Sequence, residues 1–192
     1  MDYLESVTFV TKDQKWIEKL ALGALATLLS VVVVGALALA GWAMETFRRA
    51  VGDAAEKLPG WQDWQKYLGD GLKYVGVAFI WCIAVAILSI VWRPLGYIAG
   101  VVVGFFLMGA FIILAQTGDF KRAINPVNAW NVLAPSLSQW LVTYVIIAVA
   151  SALVSWLGRH TLFIITLIFT PWLTVATANL VGRSVVETNT LA

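Results

Sequence analysis

Residues 58–73 read LPGWQDWQKYLGDGLK, a polar, tryptophan-bearing stretch in a chain that is otherwise mostly apolar. Pro59 sets a turn, and Trp61, Trp64, Leu68 and Leu72 follow at helical spacing, so that on a helix they share one face. Asp63, Lys66, Asp70 and Lys73 fall mainly on the other face. The pattern predicts an interfacial helix over residues 59–70, lying flat on a bilayer with its indoles at headgroup depth. Gly69-Asp70-Gly71 is expected to end it before the next apolar run.

Outward from this stretch the chain is membrane-like. Of 192 residues, 60% are hydrophobic and 12% charged, against about 25% charged in soluble domains. Residues 20–44, 74–92, 94–118, 123–158 and 160–182 contain no Asp, Glu, Lys or Arg. A spanning helix needs about 20 mostly apolar residues. The expected fold is therefore an all-α integral membrane protein of a single domain. Its spans are expected near residues 20–44, 74–92, 94–116, 137–157 and 160–182. A second interfacial helix is expected near residues 126–134, with Asn125 capping it, Pro126 in its first turn and Trp130 on its surface.

Residues 1–19 read as an interfacial lead-in rather than a signal peptide, because acids and polar residues precede the first apolar run. A helix starting near Trp16 meets no breaker before Gly52, so one long first helix is expected. Over residues 16–50 it would measure roughly 50 Å, longer than the hydrocarbon core of about 30 Å. With five spans, counting Lys and Arg on alternating sides gives five with the N-terminus and eight with residues 45–73 and the C-terminus. The second side is the expected cytoplasmic one. Residues 45–73 are themselves neutral in sum, which argues against a polybasic lipid-binding arm and for a mixed, solvated surface. No dense Lys/Arg cluster suggests nucleic acid.

In the third expected span Gly96, Gly100 and Gly104 form a doubled GxxxG, where small residues let helices approach closely. This marks the span as the expected packing centre of the bundle. Its expected partner is the fourth span, where Ala148, Ala152 and Ser155 form a second small-residue strip.

Chemistry is sparse. His160 is the single histidine and Cys82 the single cysteine. One histidine supplies neither a bis-histidine haem site nor a multi-histidine metal site; His160 is at most an axial ligand, and otherwise a polar residue closing a turn. Cys82 reads as a small apolar core residue. No catalytic constellation and no metal site is expected, and no cofactor is assigned. Thr166, Thr170 and Thr174 recur every fourth residue in the fifth span, beside Pro171, which deprives the Leu167 carbonyl of its usual donor. They read as kink or helix-contact residues, or as a polar path for a solute.

The chain also resembles a family of small bacterial and archaeal polytopic membrane proteins known as domain-of-unknown-function family 4013. The resemblance rests on Trp16-Ile17-Glu18-Lys19 with Gly23, on Arg48-Arg49 and on Leu58-Pro59-Gly60-Trp61-Gln62-Asp63-Trp64. Gly69-Asp70-Gly71-Leu72-Lys73 and Gly118-Asp119-Phe120 with Ala123 continue it. Two positions depart from the pattern: the first span lacks a midway proline, and Phe79-Ile80-Trp81 stands where a Tyr followed by Pro is usual. The resemblance implies a multi-pass protein of the prokaryotic cytoplasmic membrane and no particular chemistry.

The residues point first to a non-enzymatic accessory or scaffolding subunit, working through lipids and other membrane-protein subunits. A small-solute transporter or lipid-handling protein, with a cavity between the threonine stripe and the third span, is the alternative. A pigment- or haem-binding subunit is the third reading.

Overall fold

The computed structural model describes residues 3–30, 33–52, 57–160 and 164–189. Among these there are nine α-helices and no strand. They are α1 (Tyr3–Lys12), α2 (Trp16–Leu29), α3 (Val34–Val51), α4 (Trp64–Val91), α5 (Arg93–Thr117), α6 (Phe120–Ile124), α7 (Pro126–Leu133), α8 (Leu137–His160) and α9 (Ile164–Thr188). A 3-10 turn at Ala134–Ser136 joins α7 to α8. The all-α class expected from composition is what is found.

The first expected span is not one helix. It is broken between Ser30 and α3, where Val33 takes φ 67°, a conformation that β-branched residues rarely adopt. No proline or glycine marks the break, so packing imposes it. Residues 31 and 32, inside that expected span, lie outside the described residues. The two halves form an antiparallel hairpin: Gly35 lies against the backbone of Ala26, and Gly23 against Trp42. At 14 residues, α2 reaches only about 21 Å, so the chain returns to the end it came from.

Two further hairpins open toward the same end. Along α4 and α5, Ser89 meets Gly96 and Tyr74 meets Phe111. Along α8 and α9, Thr166 meets Gly158 and Ser184 meets Thr143. Among the described residues three helical runs are long and apolar enough to cross a membrane, Trp64–Val91, Arg93–Thr117 and Pro126–Arg159. They contain the second, third and fourth expected spans. The fifth corresponds to α9, which is not among these three; residues 161–163 lie outside the described residues.

The interfacial helix expected over residues 59–70 is also absent as such. Residues 58–63 form a turn, and α4 begins at Trp64 and runs through Gly69, Asp70 and Gly71 without a break. Its buried face is Tyr67, Gly71 and Val77, while Trp64 and Leu72 are exposed. The glycines form a seam rather than a stop. A Cβ on Gly71 would fall on the Leu37 carbonyl of α3, and one on Gly41 would fall on the Tyr67 backbone of α4. Gly182 of α9 lies in the same way against Ala50 and Phe47. Helix α3 is thus clasped from three sides, and ten of its 18 residues are buried. It is the packing centre, in place of the expected third span.

The second short helix, α7, starts as its sequence predicts. The Asn125 side chain accepts the Val127 N–H at 2.9 Å, and Pro126 follows. Helix α7 folds back along α5, with Ala129 and Leu133 against Gly109 and Trp130 stacked on Phe106.

The three glycines Gly41, Gly69 and Gly71 separate seam from helix propensity. Nothing lies within 4 Å of a Cβ on Gly69. Gly69→Ala is expected to be neutral or to stabilise by up to about 1 kcal/mol, through backbone entropy. Gly71→Ala and Gly41→Ala are expected to cost about 3 kcal/mol or more, the upper end of overpacking. Unfolding in detergent reads the difference; equal stability of the Gly69 and Gly71 variants would refute the seam.

Candidate functional site

The polar end is built from groups far apart in sequence. Leu58, Pro59 and Gly60 carry three consecutive carbonyls with no helix to satisfy them. Lys19 of α2 donates to the Leu58 oxygen at 2.7 Å, Trp42 of α3 to Pro59 at 3.1 Å and Tyr67 of α4 to Gly60 at 2.6 Å. Trp61 packs on Trp42 with ring centroids 4.9 Å apart, and its indole N–H donates to the Lys19 carbonyl at 3.0 Å. Asp13 closes the arrangement, accepting from Lys19 at 2.8 Å and from the Leu58 N–H at 3.2 Å. The LPGW run is therefore a plug holding α2, α3 and α4 together. Of the expected interfacial residues, Trp61 serves this plug, while Trp64 is half exposed.

Beside it, Arg48 donates to Asp70 at 2.6 Å and to the Ala115 carbonyl at 2.7 Å. That carbonyl lies in the last turn of α5, where helical partners run out. Glu45 accepts from Lys66 at 2.9 Å and lies near Arg48 and Arg49. Burial works against its ionisation. The Lys66 hydrogen bond and the three surrounding cations outweigh burial and hold the carboxyl below the usual range. Asp13 is lowered in the same way, its burial outweighed by Lys19 and two backbone N–H groups.

The N-terminal lead-in belongs to this end too, since Glu5 of α1 pairs with Arg183 of α9. The expected placement of the N-terminus opposite residues 45–73 is overturned. The first helix pair turns back, so Lys12, Lys15 and Lys19 join the side of residues 45–73 while the later alternation is unchanged. Eleven of the thirteen Lys and Arg residues now lie at one end, leaving Arg93 and Arg159 at the far turns.

A cavity of about 510 Å³ opens within the bundle between α3, α5, α8 and α9. Ala36, Leu39, Ala40 and Ala43 form one wall, Gly104, Met108 and Phe111 another, and Tyr144 and Ile147 a third. Thr170, Thr174 and Thr177 supply hydroxyls, and Ser30 and Tyr74 also reach it. Among the described residues no Asp, Glu, Lys, Arg or His lines it. Thr174 and Thr177 donate to the carbonyls of Thr170 and Leu173, each at 2.8 Å, and so turn lone pairs outward. Thr170 lines both this cavity and a smaller one of about 270 Å³ between α8 and α9.

The expected stripe thus divides. Thr170 and Thr174 face the cavity across from Gly104 of the third expected span, whereas Thr166 sits in the α8–α9 seam against Gly158. The two small-residue strips do not meet. Gly96 packs on Ser89, Gly100 has only Val85 nearby and Gly104 faces Tyr144, while Ala148 and Ala152 are exposed. Helix α8 turns its small residues outward because Tyr144 is the residue that reaches α5. Cys82, expected in the core, is exposed on α4. Trp81 faces protein, its N–H donating to the Ile124 carbonyl at 3.0 Å. The side chain of His160 lies outside the described residues.

Residues 24–96 match the profile of a family described as "Protein of unknown function (DUF4013)". The chain is similar to that family over this segment. The matched segment holds α3, the plug, the Gly41–Gly71 seam and the Arg48–Asp70 pair. No curated protein and no solved structure matches the chain.

Because the folded value of Glu45 lies below its ordinary 4.5, its stabilisation is present above that pH and is lost as pH falls through the lowered value. Glu45→Gln is expected to unfold at a temperature less dependent on pH than wild type between about pH 7 and about pH 3. Parallel pH profiles for the two proteins would contradict the role given to the Glu45 cluster.

Proposed function

We propose that this is a non-enzymatic membrane protein that takes an uncharged, chain-like amphiphile, such as a lipid tail, into the cavity between α3, α5, α8 and α9. The observation that carries this reading is the lining: apolar walls, small residues, a few hydroxyls and, among the described residues, no Asp, Glu, Lys, Arg or His. Its volume of about 510 Å³ falls in the usual range of ligand pockets. An ion would lose hydration there without gaining a counter-charge. Passage of a small neutral solute past Thr170 and Thr174 is the same site's other use. The setting is the cytoplasmic membrane of a prokaryotic cell, with the basic end inside, as the excess of eleven cations over two supports.

A scaffolding role draws on a different feature. Phe79, Ile83, Ile87 and Ile90 of α4 and Val145, Val149 and Leu153 of α8 are exposed apolar side chains. Such faces suit lipid and partner helices alike. Native mass measurement after mild purification separates these, and a protein that always runs alone counts against the scaffold.

The cavity reading is tested by filling it. Ala40 lines the cavity, and Ala40→Phe places an aromatic ring within it. Wild-type protein purified in mild detergent is expected to retain a neutral lipid, measured by mass spectrometry of the extract. Ala40→Phe is expected to retain several-fold less at an unchanged unfolding temperature. Thr170→Val, which removes a hydroxyl at constant shape, is expected to change which species is held. Equal retention by wild type and Ala40→Phe would remove the reading.

A further inference from the structure

A second cleft, of about 690 Å³, lies at the far end of the molecule, between the ends of α4 and α5 and bounded by Tyr144 of α8. Its floor is α5 itself. Gly96 is closed against Ser89, but at Gly100 a Cβ would meet nothing nearer than Val85 at 3.9 Å. Its rim holds Arg93, the first residue of α5.

Arg93 is exposed and has neither an ion pair nor a hydrogen bond among the described residues. Every described acid lies at the opposite, polar end of the bundle. The protein thus carries an uncompensated cation at the turn between two helices able to cross a membrane. From Arg93 to Val101, whose carbonyl accepts from the Tyr144 hydroxyl at 2.9 Å, the cleft runs along roughly 12 Å of helix at 1.5 Å per residue. That is close to the depth of one leaflet, half of a hydrocarbon core of about 30 Å.

We infer that this cleft holds one anionic phospholipid of the leaflet at the far end, its phosphate on Arg93 and one acyl chain laid over Gly100 as far as Tyr144. The guanidinium is a fork suited to phosphate oxygens, and its aliphatic stem lets it reach the headgroup layer. Tyr144, bonded to the α5 backbone, ends the cleft and separates it from the inner cavity, whose wall it also forms. The site is distinct from that cavity and does not depend on its occupant.

Delipidated protein in detergent is titrated with phosphatidylglycerol or phosphatidylcholine and bound lipid is counted by native mass spectrometry. Wild type is expected to hold one phosphatidylglycerol at least tenfold more tightly than phosphatidylcholine. Arg93→Gln is expected to lose that preference. Gly100→Leu fills open space, so it is expected to lose the bound lipid while keeping the wild-type unfolding temperature. Ala40→Phe, which fills the other cavity, is expected to bind phosphatidylglycerol as wild type does. Wild-type affinity and preference in both Arg93→Gln and Gly100→Leu would overturn the assignment, as would the absence of any preference in wild type. Competition by free inorganic phosphate alone, with no acyl-chain requirement, would also overturn it.

Discussion

Three adjacent backbone carbonyls, at Leu58, Pro59 and Gly60, set the architecture. Drawn in from water, each needs a donor, because an unpaired buried carbonyl costs about as much as a lost hydrogen bond. The donors come from three helices: Lys19 of α2, Trp42 of α3 and Tyr67 of α4. Satisfying them requires α2 to start at the same end where α3 finishes and α4 begins. The first apolar run must then fold back on itself, which it does between α2 and α3. The polar end follows from this. Glu5 reaches Arg183, and Arg48 reaches the last turn of α5, because all these segments have been brought to one place.

The closeness of the helices is set by glycine. Gly41, Gly71 and Gly182 allow α4 and α9 to approach the backbone of α3 without intervening side chains. Where no hydrophobic drive operates between helices in lipid, such packing carries association. Helices α5 and α8 lack a seam of this kind. Tyr144 bridges them near Gly104, donating to the Val101 carbonyl at 2.9 Å. The two cavities lie on either side of that bridge, so the open space in the molecule is located by where glycine contacts are missing.

Much of this was legible in the sequence, and what was not has a physical reason. Uncharged runs located α4, α5 and α8, and the Asn125-Pro126 signal located the start of α7. A cavity opens beside Thr170 and Thr174 and opposite Gly104, but Thr166 of the expected stripe is not part of it. The break in the first run was hidden because residues 30–34, SVVVV, contain no breaker. Gly69-Asp70-Gly71 looked like a stop because glycine weakens an isolated helix; within a packed bundle the same residue permits contact. The partners of Arg48 and Arg183 lie 67 and 178 residues away, beyond any local pattern, so side-counting on five simple spans put the N-terminus at the wrong end.

The function drawn from this fold follows from where charge is absent. Ion pairs are gathered at one end, and the described lining of the inner cavity holds hydroxyls and no Asp, Glu, Lys, Arg or His, which is what favours a neutral amphiphile over an ion in the proposed reading. The single-ended arrangement of hairpins underlies both the cavity and the separation of Arg93 at the far end from the described acids. Single cysteines at Gln14, Gln62 and Pro94, in a Cys82→Ala background, test it directly in sealed vesicles with an impermeant thiol reagent. Labelling of Gln14 and Gln62 from one side and of Pro94 from the other is the result this account predicts. Labelling of Gln14 together with Pro94, opposite Gln62, would show that the first apolar run crosses the membrane and would contradict it.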